Sequence, residues 1–99
     1  MEERRLRFLE PAKMYLKNLS KKDRAMVDAD MDEMRFSGES WVKTKRLRGP
    51  IRELVVGNHR LTYFTLEAII YFVRGFRKKS AKTPTIEIEY AEKIYKLLR

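Results

Sequence analysis

The sequence predicts an α+β fold in the order β-α-α-β-β-β-α, an antiparallel sheet with its helices packed on one face. Three observations carry this expectation. Apolar residues recur at helical spacing through the first third of the chain, first at Ala12, Tyr15, Leu16 and Leu19, then at Val27, Met31 and Met34. From Ile51 to Phe76 the chain reads instead as three β-rich runs separated by short turns. Thr83-Pro84 then opens a final stretch in which Ile88, Ala91, Tyr95 and Leu98 again mark one helical face.

Each element has a local reason. In residues 4–9, Leu6 and Phe8 alternate with Arg5 and Arg7, the period of a half-buried strand whose charged outer side suits a sheet edge. Pro11 fits the first turn of a helix, where its missing N–H costs nothing. Ser20 can cap a second helix running to about Phe36, antiparallel to the first. Ser37-Gly38-Glu39-Ser40 ends the pair. Trp41 to Pro50 reads as a basic loop with little periodicity, with Trp41 expected to seal the core. Ile51–Val56 and His59–Thr65 form a hairpin about the Gly57-Asn58 turn. After a turn at Glu67, Ala68–Phe76 is apolar on both faces and therefore central. Thr83 is the expected N-cap of the last helix and Pro84 its first residue.

Composition bounds the function. Ninety-nine residues, 43% of them hydrophobic, suit one domain spanning 1–99. No cysteine is present, which excludes a disulfide framework and a thiolate metal site. Met1-Glu2-Glu3-Arg4-Arg5 carries no apolar signal segment, and no apolar run is long enough to cross a bilayer, so a cytoplasmic protein with no membrane partner is expected. The net charge is +9, from 23 Lys+Arg against 14 Asp+Glu. That charge is segregated. Arg74, Arg77, Lys78, Lys79 and Lys82 fall within eleven residues free of carboxylates, and Lys43, Lys45, Arg46 and Arg48 form a second such stretch. Cations crowded in this way repel one another and call for an anionic partner, and with aromatics interleaved that partner is nucleic acid.

The chemistry is narrowed by elimination. The four glycines are scattered, so there is no phosphate-binding glycine loop, and a single histidine makes no histidine metal cluster. No cofactor is expected. RNA can supply its own nucleophile, the 2′-OH beside the scissile phosphate, if a protein aligns it, neutralises the developing phosphorane charge and moves two protons. Arginine suits the second task, because its fork binds two phosphate oxygens. Lysine, or less readily tyrosine, can carry a proton. Alternation puts Arg60, Thr62 and Phe64 on one side of their strand and Leu61 and Tyr63 on the other. The same rule groups Phe72, Arg74 and Phe76, so Arg60, Arg74, Phe76, Lys78 and Lys79 are expected to meet on an open sheet face, with Phe76 available to stack on a base. His59, beside the turn, is a further candidate acid or base.

Four blocks of sequence resemble the RelE/ParE toxin superfamily, and within it the HigB-like, phage-derived branch. They are Leu47-Arg48-Gly49-Pro50-Ile51-Arg52-Glu53-Leu54, His59-Arg60-Leu61-Thr62-Tyr63-Phe64, Arg74 through Pro84, and Glu87-Ile88-Glu89-Tyr90-Ala91. The resemblance implies a RelE-like, microbial ribonuclease-like fold. It also implies the toxin of a type II toxin–antitoxin pair, cutting mRNA in the ribosomal A site without a metal. Arg60 falls on the family's middle-strand arginine, and Lys78 and Lys79 on its basic residues after the last strand, with Arg77 and Lys82 adjacent. Phe76 matches the aromatic of its Gly-Phe step, and Arg52 the basic residue that starts the second strand. Val55 stands where this branch often carries an arginine. The candidate catalytic set is thus Arg60, Lys78, Lys79 and Tyr63, with Arg46, Arg48, Arg52, Arg74, Phe76, Arg77 and Lys82 toward RNA and the ribosome. The partners implied are the ribosome with its mRNA and a cognate antitoxin, a small helix-turn-helix protein through which any operator DNA would be reached. Arg60 with the Lys78-Lys79 pair favours the nuclease over two other readings of the same fold, a gyrase-directed toxin and a non-catalytic nucleic-acid-binding module.

Overall fold

The computed structural model describes residues 3–99. Met1 and Glu2, part of the N-terminal stretch considered above, lie outside them. Strand β1 (Arg5–Phe8) leads into helix α1 (Glu10–Lys17) and helix α2 (Lys21–Ser37). A single 3-10 turn (Glu39–Trp41) precedes β2 (Thr44–Arg48), β3 (Ile51–Val56), β4 (His59–Leu66) and β5 (Ile69–Arg77), and α3 (Thr85–Leu98) closes the described chain.

The helix starts follow local chemistry. Ser20 caps α2, its Oγ accepting the Asp23 N–H at 3.1 Å, and Pro11 sits in the first turn of α1. At α3 the expected cap is corrected. Pro84 occupies the N-cap position, and the Thr83 hydroxyl donates to Glu53 instead.

The five strands run in the order β1-β5-β4-β3-β2. Neighbours from β2 to β5 are antiparallel, whereas β1 lies parallel to β5, with Leu6 opposite Ile70 and Phe8 opposite Phe72. The sheet is therefore mixed. A parallel neighbour needs a long crossover, and the chain from α1 through β4 supplies it. β1 takes the edge its charged outer residues suit, and β5 is interior, as its apolar faces require.

The α+β class holds, and the placement of the helices is corrected: they cover both faces. On one face, Ala12 and Leu16 of α1 with Val27, Met31 and Met34 of α2 pack on Leu54, Val56, Leu61, Tyr63, Ile70 and Phe72. On the other, Ala91 of α3, with Tyr90, Ile94 and Tyr95, packs on Ile51, Phe64 and Val73. Strands that are apolar on both sides leave a second hydrophobic face to cover, and each large side chain so buried contributes about 1.5–3 kcal/mol. α3 covers only part of that face, and the remainder is open.

Two further departures bear on the site. The basic segment expected as a loop contains β2, an edge strand ending in a turn where Gly49 takes φ +53°. Leu47 is its inward residue, resting on the α3-side core. In β5, Thr62 of β4 opposes Arg74 and Tyr63 opposes Phe72, so Val73 is a bulge. The bulge reverses the alternation. Phe72 faces α1 and α2, while Arg74 and Phe76 face the side of Thr62 and Arg60. Next to it, the Tyr15 ring of α1 lies so close over Gly75 that a Cβ there would overlap it, which seats α1 on the end of β5.

Candidate nucleic-acid interface

Val55, Arg60 and Phe76 form one cross-strand row over β3, β4 and β5 on the α3 side, at the end of the sheet that α3 leaves uncovered. Over this row runs the segment from Lys78 to Pro84, and beside it the start of β2. Together they enclose a cleft of about 290 Å³ lined by Lys43, Thr44, Lys45, Glu53, Val55, Arg60, Phe76 and residues 78–84.

The strap is fastened at both ends. The Lys78 backbone N–H donates to Asn58 O at 2.8 Å, and Thr83 Oγ1 lies 2.8 and 2.9 Å from the two carboxylate oxygens of Glu53. Between these points the Ser80 hydroxyl donates to Lys82 O at 2.9 Å. Arg60 is oriented by its own hairpin, one guanidinium nitrogen donating to Gly57 O at 2.8 Å and His59 O at 3.0 Å. Among the described residues the other two nitrogens of its fork make no hydrogen bond.

The cleft holds six cations, namely Lys43, Lys45, Arg60, Lys78, Lys79 and Lys82, against one carboxylate, that of Glu53. Among the described residues none of the six is ion-paired. Glu53 is only 2% exposed, and its position at the cleft wall offsets part of their mutual repulsion. A groove so charged, with an aromatic, Phe76, in its lining, has the chemistry to hold an anionic ligand.

The structure brings together Arg60, Phe76, Lys78, Lys79 and Lys82 of the residues expected to act on RNA, and it disperses the rest. Tyr63 is fully buried on the opposite face, bonded to Glu39 and at 3.3 Å to Arg52. That removes it as a proton carrier in the cleft. Arg52 shares this face, donating to Thr44 Oγ1 at 3.1 Å and standing 3.5 Å from Glu39. Arg46 opposes Arg52 and bonds Gly49 O. Arg48 pairs with Glu92 of α3 at 2.6 Å. Arg74 is on the cleft side but held by α3, 3.3 Å from Glu87 and stacked over Tyr90 at 5.3 Å. Burial raises the Glu87 carboxyl, and Arg74 draws it partly back. Arg77 opposes His59 and lies 3.8 Å from Asp23, on the α2 side.

His59 is no acid or base of the cleft. It is buried on the helix side, where Nδ1 lies 2.5 Å from the Tyr15 hydroxyl and Nε2 lies 2.9 Å from Asp23 Oδ2. A neutral ring satisfies both contacts, accepting from tyrosine and donating to aspartate. Burial pushes the Tyr15 phenol up, with Asp23 adding to the shift and Arg77 opposing it.

Sequence reasoning placed Lys43 and Lys45 in a basic stretch but not in the site, and it missed Glu53. The signal was present for the lysines: they alternate with Thr44 as in a strand, and Lys43 O accepts the Val55 N–H. For Glu53, the odd-numbered side of β3 places it between Ile51 and Val55.

Burial first, then the Glu39 hydrogen bond, push the Tyr63 phenol from 10.0 to about 12, with Arg52 opposing. The folded protein keeps this proton where the unfolded chain loses it, so stability falls as pH rises from the ordinary phenol value through about 12. Phenolate absorbance during alkaline titration should show late ionisation from Tyr15 and Tyr63, and Tyr63→Phe should remove the step near 12.

Among the described residues, no three His, Cys, Asp or Glu side chains gather to hold a metal, and no helix is long and apolar enough to cross a membrane.

Comparison with known structures places the fold. The RelE chain of the archaeal RelE–RelB complex from Pyrococcus horikoshii superposes with a TM-score of 0.69 at 14% identity, covering 80% of this chain and 99% of that one. A mutant E. coli toxin RelE in the free state gives 0.66 at 18% identity, covering 93% and 97%. The toxin–antitoxin complex RelBE2 from Mycobacterium tuberculosis gives 0.61 at 22%, covering 81% and 97%. No curated protein matches the sequence. The family described as phage derived protein Gp49-like (DUF891) matches residues 14–96. With most of its described length matched, and a sheet and helices that superpose on RelE, the chain belongs to the phage-derived Gp49-like family and has the RelE toxin fold.

Proposed function

We propose that this protein is the toxin of a type II toxin–antitoxin pair, of the HigB-like branch, and that it cuts mRNA in the ribosomal A site without a metal. The observation that carries the reading is the convergence of Arg60, Lys78, Lys79, Lys82 and Phe76 in one cleft under a strap anchored at both ends. Single-stranded RNA bent into this cleft sets its scissile phosphate against the Arg60 fork. The guanidinium then stabilises the charge that grows on the phosphorane oxygens as the 2′-OH attacks. Lys78 and Lys79 are the residues placed to carry protons to and from the reacting oxygens, and Phe76 stacks on a neighbouring base. Where relatives of this branch carry an arginine, Val55 leaves apolar surface beside Arg60, so more of the phosphate recognition falls to the strap lysines.

The partners follow the same reading. The similar structures include a RelE–RelB complex from P. horikoshii and the toxin–antitoxin complex RelBE2 from M. tuberculosis, and a small helix-turn-helix antitoxin is proposed to neutralise this chain in the cytoplasm, with operator DNA reached only through that complex. The test is mRNA cleavage on programmed ribosomes, with free RNA as the control. Wild type should cut ribosome-bound message, and a Lys78→Ala/Lys79→Ala variant of unchanged fold should lose the cuts. Equal cutting by both proteins would remove the strap from the mechanism. Inhibition of DNA gyrase with no cutting would reassign the protein to the gyrase-directed readings of this fold.

A further inference from the structure

Trp41, expected in the core, is 69% exposed. It ends the 3-10 turn, and the residue that packs inward there is its successor, Val42, against the α2-side core. Lys43 comes next and lines the cleft with Lys45. Two peptide units separate Trp41 from Lys43, so their Cα atoms stand no more than about 7 Å apart. Its indole is exposed two residues from a lysine of the six-cation cleft, and among the described residues its ring meets no aromatic or cationic partner. From this we infer that Trp41 is a base-stacking platform, continuing the RNA-binding surface out of the cleft across the start of β2. Its ligand is an unpaired base of a single RNA strand whose phosphates lie along Lys43 and Lys45.

The surroundings decide between nucleic acid and protein. Beyond Trp41 the segment presents Lys43 just before, and Lys45 and Arg46 on, an exposed edge strand. Lysine is depleted from protein–protein contacts, whereas alternating cations flanking an aromatic suit a phosphate backbone with stacked bases. A stacking platform also needs no base identity, because every base has a π-face.

The inference rests on the nucleic-acid reading of the cleft, and the experiment separates the two. Trp41 is the sole tryptophan, so its fluorescence reports on this site alone. A 2′-O-methyl RNA of about eight nucleotides, within the span of common single-strand sites, binds without being cut. At low salt it should quench the fluorescence saturably. By anisotropy of labelled RNA, Trp41→Ala should bind roughly tenfold more weakly and Trp41→Phe nearly as well as wild type. Lys78→Ala/Lys79→Ala should bind poorly. Binding without quenching, and with Trp41→Ala equal to wild type, would overturn the platform and leave the cleft reading intact. Failure of the wild type to bind the oligonucleotide at all would strike the cleft reading itself. A signal that responds only to the antitoxin would assign Trp41 to protein docking and overturn the proposal.

Discussion

Arg60→Ala is expected to reduce ribosome-dependent mRNA cleavage by about a hundredfold to a thousandfold, the loss seen when one preorganised donor to a developing oxyanion is removed. The fold should survive the change. The Arg60 side chain is half-buried, forms no ion pair among the described residues, and bonds only the turn carbonyls of Gly57 and His59. Losing such partly exposed hydrogen bonds costs about 1 kcal/mol or less. Arg60→Lys should recover part of the activity, because it restores the charge and loses the two-oxygen fork. Cleavage rates on programmed ribosomes, read beside thermal melts of both variants, check this. Equal losses for alanine and lysine would show that the fork matters more than the charge. No loss for either would place the phosphate elsewhere.

The largest effect on stability is expected at His59. Its imidazole joins Tyr15 of α1 and Asp23 of α2 to the first residue of β4, so one buried side chain ties both helices to the hairpin. His59→Ala opens a cavity and leaves Tyr15 and Asp23 without their partner. Together these should cost about 3 kcal/mol. For a chain of this size the melting temperature should fall by roughly 10–20 °C. The consequence reaches the cleft, because the adjoining turn supplies the carbonyls that hold Arg60 and the Lys78 amide. Tyr15→Phe, which removes a single hydroxyl, should cost much less. A melt unchanged in His59→Ala would show that the triad adds nothing net.

Element identity was legible wherever one period dominated. The stripe of Val27, Met31 and Met34, the hairpin about Gly57-Asn58, and the last helix all stand where the pattern put them. The misses have physical causes. β2 is an edge strand with charged outward residues, and only Leu47 marks its buried side, too little apolar signal to show a period. The face covered by α3 was hidden because an amphipathic helix states that it packs, not on which side. In β5 the Val73 bulge changed the side of every residue before it relative to those after, so strict alternation misplaced Phe72.

The site was legible as a list of charges more than as a geometry. Arg60 and the lysines after β5 converge because one strand and the adjacent strap carry them to the same sheet end. Arg48, Arg52, Arg74 and Arg77 look equivalent to them in sequence, yet each has a carboxylate within 4.0 Å. Which cations are neutralised depends on acids as remote in the chain as Glu92 and Asp23, and such pairings have no local signature.

The most direct test of the central claim is the chemistry of the cut ends. Message held on programmed ribosomes would be treated with the purified protein and its fragments analysed. Attack by the 2′-OH, stabilised by Arg60, predicts a 2′,3′-cyclic phosphate or 3′-phosphate on the upstream fragment and a 5′-hydroxyl on the downstream one. Fragments ending in 3′-hydroxyl and 5′-phosphate, or intact message in the presence of folded protein, would contradict it.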